Sequence, residues 1–115
     1  MSTSSDTNKN LKIYVCLKSD RIVGFSSIKK LNFAYELEEN MINYKKKKSV
    51  LIGIDKIWVC ETQRRLKIAF TLLQLARKYY YKNKIIDKSK MAFSQPTKDG
   101  LKFANWYFES KIFVF

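Results

Sequence analysis

The chain has 115 residues, a formal net charge of +13, 46% hydrophobic and 15% aromatic residues, and no histidine. That length suits one domain burying somewhat under about 70% of its unfolded surface, and two domains are not expected. The apolar share argues for a folded core, no apolar run approaches the roughly 20 residues of a helical membrane span, and the missing histidine removes a His-based serine triad and argues against a zinc site.

In chain order, residues 1–10 (MSTSSDTNKN) are polar, too hydrophilic for a signal peptide, and read as a disordered tail ahead of a single domain over 11–115. Cys16 and Cys60, without a secretory signal, read as reduced thiols inside a cell. Residues 11–17 (LKIYVCL) alternate around β-branched and aromatic side chains, Ser19 and Asp20 supply a turn, and 21–28 (RIVGFSSI) resume the strand pattern, which predicts a hairpin. Residues 31–37 (LNFAYEL) fit a helix by their Ala, Leu and Glu content or a strand by the alternation of Phe33, Tyr35 and Leu37. Residues 40–49, with the run from Lys45 to Lys48, read as a charged loop, either simply solvated or touching nucleic acid or an acidic partner.

The most informative stretch is 53–69, GIDKIWVCETQRRLKIA. Residues 50–60 are too apolar for a half-exposed strand and read as a central strand covered on both faces. From Leu66 the period changes, and Leu66, Ala69, Leu72, Leu73, Ala76 and Tyr80 recur at helical spacing up to a helix end near residues 81–83. The first amides of a helix have no partner within it and carry the positive end of its dipole; with Arg64 and Arg65 just before them, this junction becomes an anion pocket suited to a pyrophosphate. Cys60 lies close by, but with no histidine to activate it a small buried core residue is the reading preferred over a nucleophile.

After a polar connection over 84–90, KMAFS (90–94) reads as a short strand, and a right-handed crossover sets it parallel to the 53–59 strand. QPTKDG (95–100) is a turn, with Thr97 as an N-cap and Asp99 favourably placed in the first turn of the helix that follows. In that helix Leu101, Phe103, Ala104, Trp106, Tyr107 and Phe108 wrap most of the circumference, predicting a largely buried helix, and KIFVF (111–115) closes the chain as a strand. On charge alone, a second class of function is a small basic nucleic-acid-binding domain that uses the lysine run and stacks bases on Tyr79 to Tyr81.

The loop over Arg64, Arg65, Leu66, Lys67, Ile68 and Ala69 resembles the acetyl-CoA loop of the GNAT acetyltransferases, Q/R-x-x-G-x-G/A, with Lys67 standing where the first glycine belongs. Read with IWV (57–59) and MAFSQPTKDG (91–100), it resembles the sister-chromatid cohesion-establishment acetyltransferases of Eco/ESCO type, whose C-terminal half carries GISRIWV, then RRxxIA, then FSDPTPDG. IVGFSSI near the start resembles that family's VVG-containing strands, so the likeness extends over roughly nine-tenths of the chain. It implies an α/β fold of GNAT type: a mixed, largely antiparallel sheet, a splayed central parallel strand pair and flanking helices. The third strand of the chain, over 31–37, follows from it.

The implied function is a protein-lysine N-acetyltransferase that uses acetyl-CoA and no metal, acts on the SMC subunit of cohesin, and works in the nucleus on chromatin. The implied cofactor contacts are Ile57, Trp58 and Val59 as a free strand edge, Arg64, Arg65, Leu66, Lys67, Ile68, Ala69 and Phe70 around the pyrophosphate, and Thr97, Lys98 and Asp99 beyond; capping would explain Thr97 and Asp99 equally well. The family places an Asp after the FS of FSDPT as the base and a Ser within GISRIWV that assists it. Gln95 and Asp55 hold those two positions here. A glutamine cannot accept the proton, so either the carboxylate has moved to Asp55 or the domain binds acetyl-CoA with weak or no turnover. Glu61 is a lesser candidate base, and Tyr107 a possible proton donor to the thiolate, with packing its expected role. The family's zinc finger, which precedes the acetyltransferase part, has no counterpart in these residues, as in a fragment or a reduced version. A generic GNAT acting on small amines shares the cofactor but not the FSxPT segment.

Overall fold

The computed structural model describes residues 11–64, 67–94, 98–109 and 111–115. Strands β1 (Lys12–Lys18) and β2 (Arg21–Lys30) make the predicted hairpin. Ser19 and Asp20 both take positive φ, 51° and 65°, the two-residue geometry whose twist matches that of the strands it joins.

A second tight turn at Glu39 and Asn40, φ 49° and 67°, joins β3 (Phe33–Glu38) to β4 (Met41–Ser49). Residues 33–38 are therefore a strand, the alternative that the family resemblance implies. β4 departs from expectation, because the segment read as a charged loop is a full strand. Its lysines are compatible with a sheet edge for two reasons. Lys47 and Lys48 lie over the rings of Phe33 and Phe113 at 4.2 and 4.8 Å, and Lys46 pairs with Glu38 at 2.8 Å. A row of ammonium groups on an outermost strand also discourages another chain from pairing with it.

The rest of the chain runs through β5 (Ile52–Val59), a 3₁₀ turn at Glu61–Gln63, α1 (Ile68–Tyr79), a second 3₁₀ turn at Lys88–Lys90, β6 (Met91–Phe93), α2 (Lys98–Phe108) and β7 (Ile112–Val114). One seven-stranded sheet has the order β1-β2-β5-β6-β7-β3-β4, antiparallel except where β5 meets β6 and β6 meets β7. The strand, helix, strand unit thus closes into the predicted parallel pair, and the α/β fold class stands. Both helices cover one face. Leu73, Ala76 and Tyr80 from the α1 segment and Ala104 and Tyr107 from α2 join Ile28, Ile54 and Met91 in the main core, while Ala34, Val50 and Ala92 pack with Leu31, Phe113 and Phe115 elsewhere on the sheet.

Three expectations need correction. β5 is covered on both faces only at its start; Ile52, Gly53 and Ile54 are buried, but Lys56 and Trp58 are exposed. α1 begins two residues later than its apolar stripe and stops at Tyr79, so Tyr79 is exposed and Tyr80 buried, and 79–81 present no continuous stacking surface. α2 is one-sided: Ala104 and Tyr107 are buried, but Trp106 is 58% exposed. The apolar residues that encircle α2 outnumber the positions one sheet face can cover.

Candidate cofactor site

β5 pairs with β2 along its length, Gly24 to Val59 at one end and Lys30 to Ile52 at the other. On its other side it pairs with β6 only at Ile52, Gly53 and Ile54, with a last bond from the Ser94 amide to the Ile54 carbonyl at 2.9 Å. Beyond that point β5 runs on to Val59 with no strand pairing on this side among the described residues. Ile57, Trp58 and Val59 lie on this stretch, where the resemblance implies a free edge.

The transition falls at an irregularity. Ser27 pairs with Lys56 and Ile28 with Ile54, which leaves Asp55 as an extra residue on β5. Such a bulge resets the alternation. Ile54 and Ile57, three apart, both reach the core beneath α1, while Lys56 and Trp58 turn to the other side, where Trp58 meets its cross-strand neighbour Phe25 at 6.0 Å between rings. The two-residue spacing of Asp55 from Ile57 consequently no longer fixes a shared face. Asp55 is half-buried, and neither a hydrogen bond nor an ion pair engages its carboxylate among the described residues.

At the end of β5 the Cys60 amide still bonds β2, donating to the Val23 carbonyl at 2.7 Å, and the chain then makes its 3₁₀ turn. Cys60 is only half-buried, a correction to its reading as core: its thiol lies 3.4 Å from the Thr62 hydroxyl, and that contact is the main reason its pKa falls below the ordinary thiol value. Arg64 folds back, its Nε donating to the Val59 carbonyl at 3.4 Å, which sets a guanidinium at the tip of the free edge.

Lys67 is the N-cap of α1 and takes φ 60°, ψ 22°, the left-handed conformation. The lysine replaces a glycine of the motif in identity but keeps the backbone shape that glycine supplies. The helix proper opens with Ile68, Ala69 and Phe70, whose amides precede the first bond of the ladder, Thr71 to the Lys67 carbonyl at 3.0 Å. The N-cap side chain of Lys67 makes no bond to them. The mouth of α1 rests against the sheet at Gly24, where a Cβ would come within 2.8 Å of Ile68 Cγ2 and 3.1 Å of the Trp58 carbonyl. Gly24 was not singled out from the sequence, although a glycine within a strand pattern is itself a signal of close backbone approach.

The remaining site residues divide. Arg65, Leu66, Gln95 and Thr97 lie outside the described residues, while Lys98 and Asp99 form the start of α2. Glu61 is exposed in the 3₁₀ turn. Tyr107 is 1% exposed, its hydroxyl donating to Gln74 Oε1 at 2.8 Å and its pKa raised by burial, so packing is its role rather than proton delivery. Among the described residues no cluster of Cys, Asp and Glu is arranged to hold a metal.

Comparisons with known proteins bear on this arrangement. The family model described as ESCO1/2 acetyl-transferase matches residues 48–115. The chain is 33% identical over 114 residues to N-acetyltransferase ECO1 of Saccharomyces cerevisiae, covering 90% of this chain and 41% of that protein. It is 29% identical over 106 residues to N-acetyltransferase ESCO1 of Homo sapiens, covering 84% of this chain and 13% of that protein. It thus spans less than half the length of these relatives. Among solved structures, the xEco2 acetyltransferase domain bound to a CoA conjugate has the same fold, with a TM-score of 0.85 at 24% identity over 92% of this chain and 68% of that one. From the family match, more than half of the chain in extent and spanning both the free edge of β5 and the mouth of α1, it follows that the chain belongs to the ESCO1/2 acetyl-transferase family.

Proposed function

We propose that the chain binds acetyl-CoA and transfers its acetyl group to a lysine of the cohesin SMC subunit, in the nucleus. One observation carries the binding half: among the described residues β5 has no partner on the β6 side after Ile54, and it leads to a helix whose N-cap, Lys67, makes no side-chain bond to the first amides. An amide-bearing arm can add to the open edge as a strand would, and a diphosphate can accept from the amides of Ile68, Ala69 and Phe70, with Arg64 adding charge. Thr97, Lys98 and Asp99 enter this proposal as further cofactor contacts on the family resemblance alone.

For the transfer, the lysine ammonium must first give up a proton; the free amine then attacks the thioester carbon, and the oxyanion needs donors until the thiolate departs. Asp55 is the carboxylate at the place where the strands part, and it carries the role of base in this proposal; Gln95 can orient a group but accepts no proton. Titration calorimetry with acetyl-CoA tests the binding half, and mass spectrometry of the cohesin SMC head after incubation tests the transfer. Asp55→Asn should abolish acetylation and leave acetyl-CoA affinity unchanged. Unaltered turnover in that variant removes Asp55 from the mechanism, binding without any transfer by the wild type reduces the chain to a cofactor-binding domain, and absence of a binding heat refutes the whole reading.

A further inference from the structure

Trp106 is the largest side chain that α2 leaves in solvent, yet it is held in place. Its ring lies 5.9 Å from that of Phe70, edge to face at 71°, and 5.9 Å from that of Phe103. Its neighbour in sequence, Tyr107, is fixed from both ends: the hydroxyl donates to Gln74 on α1, and the backbone carbonyl accepts from Lys88 Nζ at 3.0 Å. The indole therefore stands on a packed aromatic base that spans the two helices.

Its position is what matters. Phe70 is the third residue of α1, so the cluster sits beside the first amides of that helix. A rigid, exposed aromatic surface next to an anion-binding helix mouth suits a ligand that tethers a flat heterocycle to a diphosphate, since the diphosphate fixes one end and stacking orders the other. On α2, Lys102 lies one turn before Trp106, is exposed, and projects from the same side of the helix, where it would meet a phosphate on the intervening ribose. We infer that Trp106, backed by Phe70, is the stacking platform for the adenine of CoA, a specificity element for the nucleotide half of the cofactor. The inference rests on the acetyl-CoA reading given above.

Calorimetry with two ligands separates the two. Acetyl-CoA and acetyl-4′-phosphopantetheine share the thioester arm, and only the first carries adenosine. Trp106→Leu should weaken acetyl-CoA binding about tenfold, the size of one lost base–aromatic stack, and leave acetyl-4′-phosphopantetheine unchanged, while Trp106→Phe retains most of the affinity. Should Trp106→Leu fold poorly, fluorescence in a Trp58→Phe background reads the same contact: Trp106 emission is quenched by CoA and not by 4′-phosphopantetheine. If both ligands bind and Trp106→Leu affects both equally or neither, or if CoA leaves the emission unchanged, the adenine platform is wrong and the cofactor reading stands. If the wild type binds neither ligand, the cofactor reading fails and the platform with it.

Discussion

Gly24→Ala tests whether the seat beneath α1 sets the cofactor site. The added methyl would stand 2.8 Å from Ile68 Cγ2, 3.3 Å from Leu72 Cδ1 and 3.1 Å from the backbone carbonyl of Trp58. The first of these is a branch methyl at Cβ with little freedom, and the last is main chain of the very edge proposed to receive the cofactor arm, so the strain falls on the helix start. Overpacking of this kind costs about 1–3 kcal/mol, offset by roughly 0.5–1 kcal/mol because alanine loses less chain entropy than glycine. The net loss should fall between about 0 and 2.5 kcal/mol, and its midpoint near 1 kcal/mol lowers the melting temperature of a chain of this size by roughly 4–6 °C. Circular dichroism melts and urea titrations give the stability; calorimetry gives acetyl-CoA affinity, which should fall as well because the amides of Ile68 to Phe70 shift together. Ile68→Leu, which moves the branch away from Cβ, should recover part of both losses in the double variant. Ser26→Ala is the control on the same strand: that hydroxyl is buried without a partner, and its removal should be neutral or stabilising. A Gly24→Ala protein as stable as the wild type refutes the tight seat, and one that is destabilised with full acetyl-CoA affinity refutes its link to the site.

At Lys67, with φ 60°, Lys67→Gly should gain about 0.5–1 kcal/mol in denaturant unfolding, because the left-handed strain of a side-chain residue is relieved; Lys67→Val, branched at Cβ, should lose more than about 1 kcal/mol. Glu38 is held at about 2, against an ordinary carboxylate value of 4.5, by hydrogen bonds from Lys46 and then Asn43. Since the folded pKa is the depressed one, its contribution is complete above 4.5 and disappears as the pH falls towards 2, so Glu38→Gln should flatten the dependence of melting temperature on pH across that window. The Cys60 thiol is acidified chiefly by Thr62, and in a Cys16→Ser background the pH profile of iodoacetamide alkylation should move to higher pH in Thr62→Val.

What the sequence makes legible follows the periodicities. The hairpin at Ser19 and Asp20, the helix over Leu72, Leu73 and Ala76, and the parallel placement of β6 against β5 are all written in local patterns, each consistent with the next. The misreadings come from context that no local pattern carries. β4 is a strand because the turn at Glu39 and Asn40 lays it against β3, Lys46 has Glu38 to pair with, and Lys47 and Lys48 have rings to cover; a run of lysines alone reads as a loop. α2 leaves Trp106 outside because one sheet face cannot receive six apolar directions. The bulge at Asp55 is set by the register of β2, so the face shared by Asp55 and Ile57 could not be settled by counting along β5.

The proposed site also accounts for a departure from the family pattern at Lys67. What the mouth of α1 and the edge of β5 offer a cofactor are main-chain groups, and any side chain that permits the right dihedrals can frame them. Lys67 occupies the glycine position at φ 60° at the cost of modest local strain, and it adds a positive charge beside the proposed anion site. The catalytic half has no such latitude. A proton must pass to a named atom, and the exchange of a carboxylate for Gln95 removes an acceptor that no backbone group replaces. Binding should therefore tolerate substitution around 64–70 far better than transfer tolerates the loss of Asp55, and an Asp55→Asn protein that still acetylates would mean that the proton leaves through water or through the substrate's own surroundings.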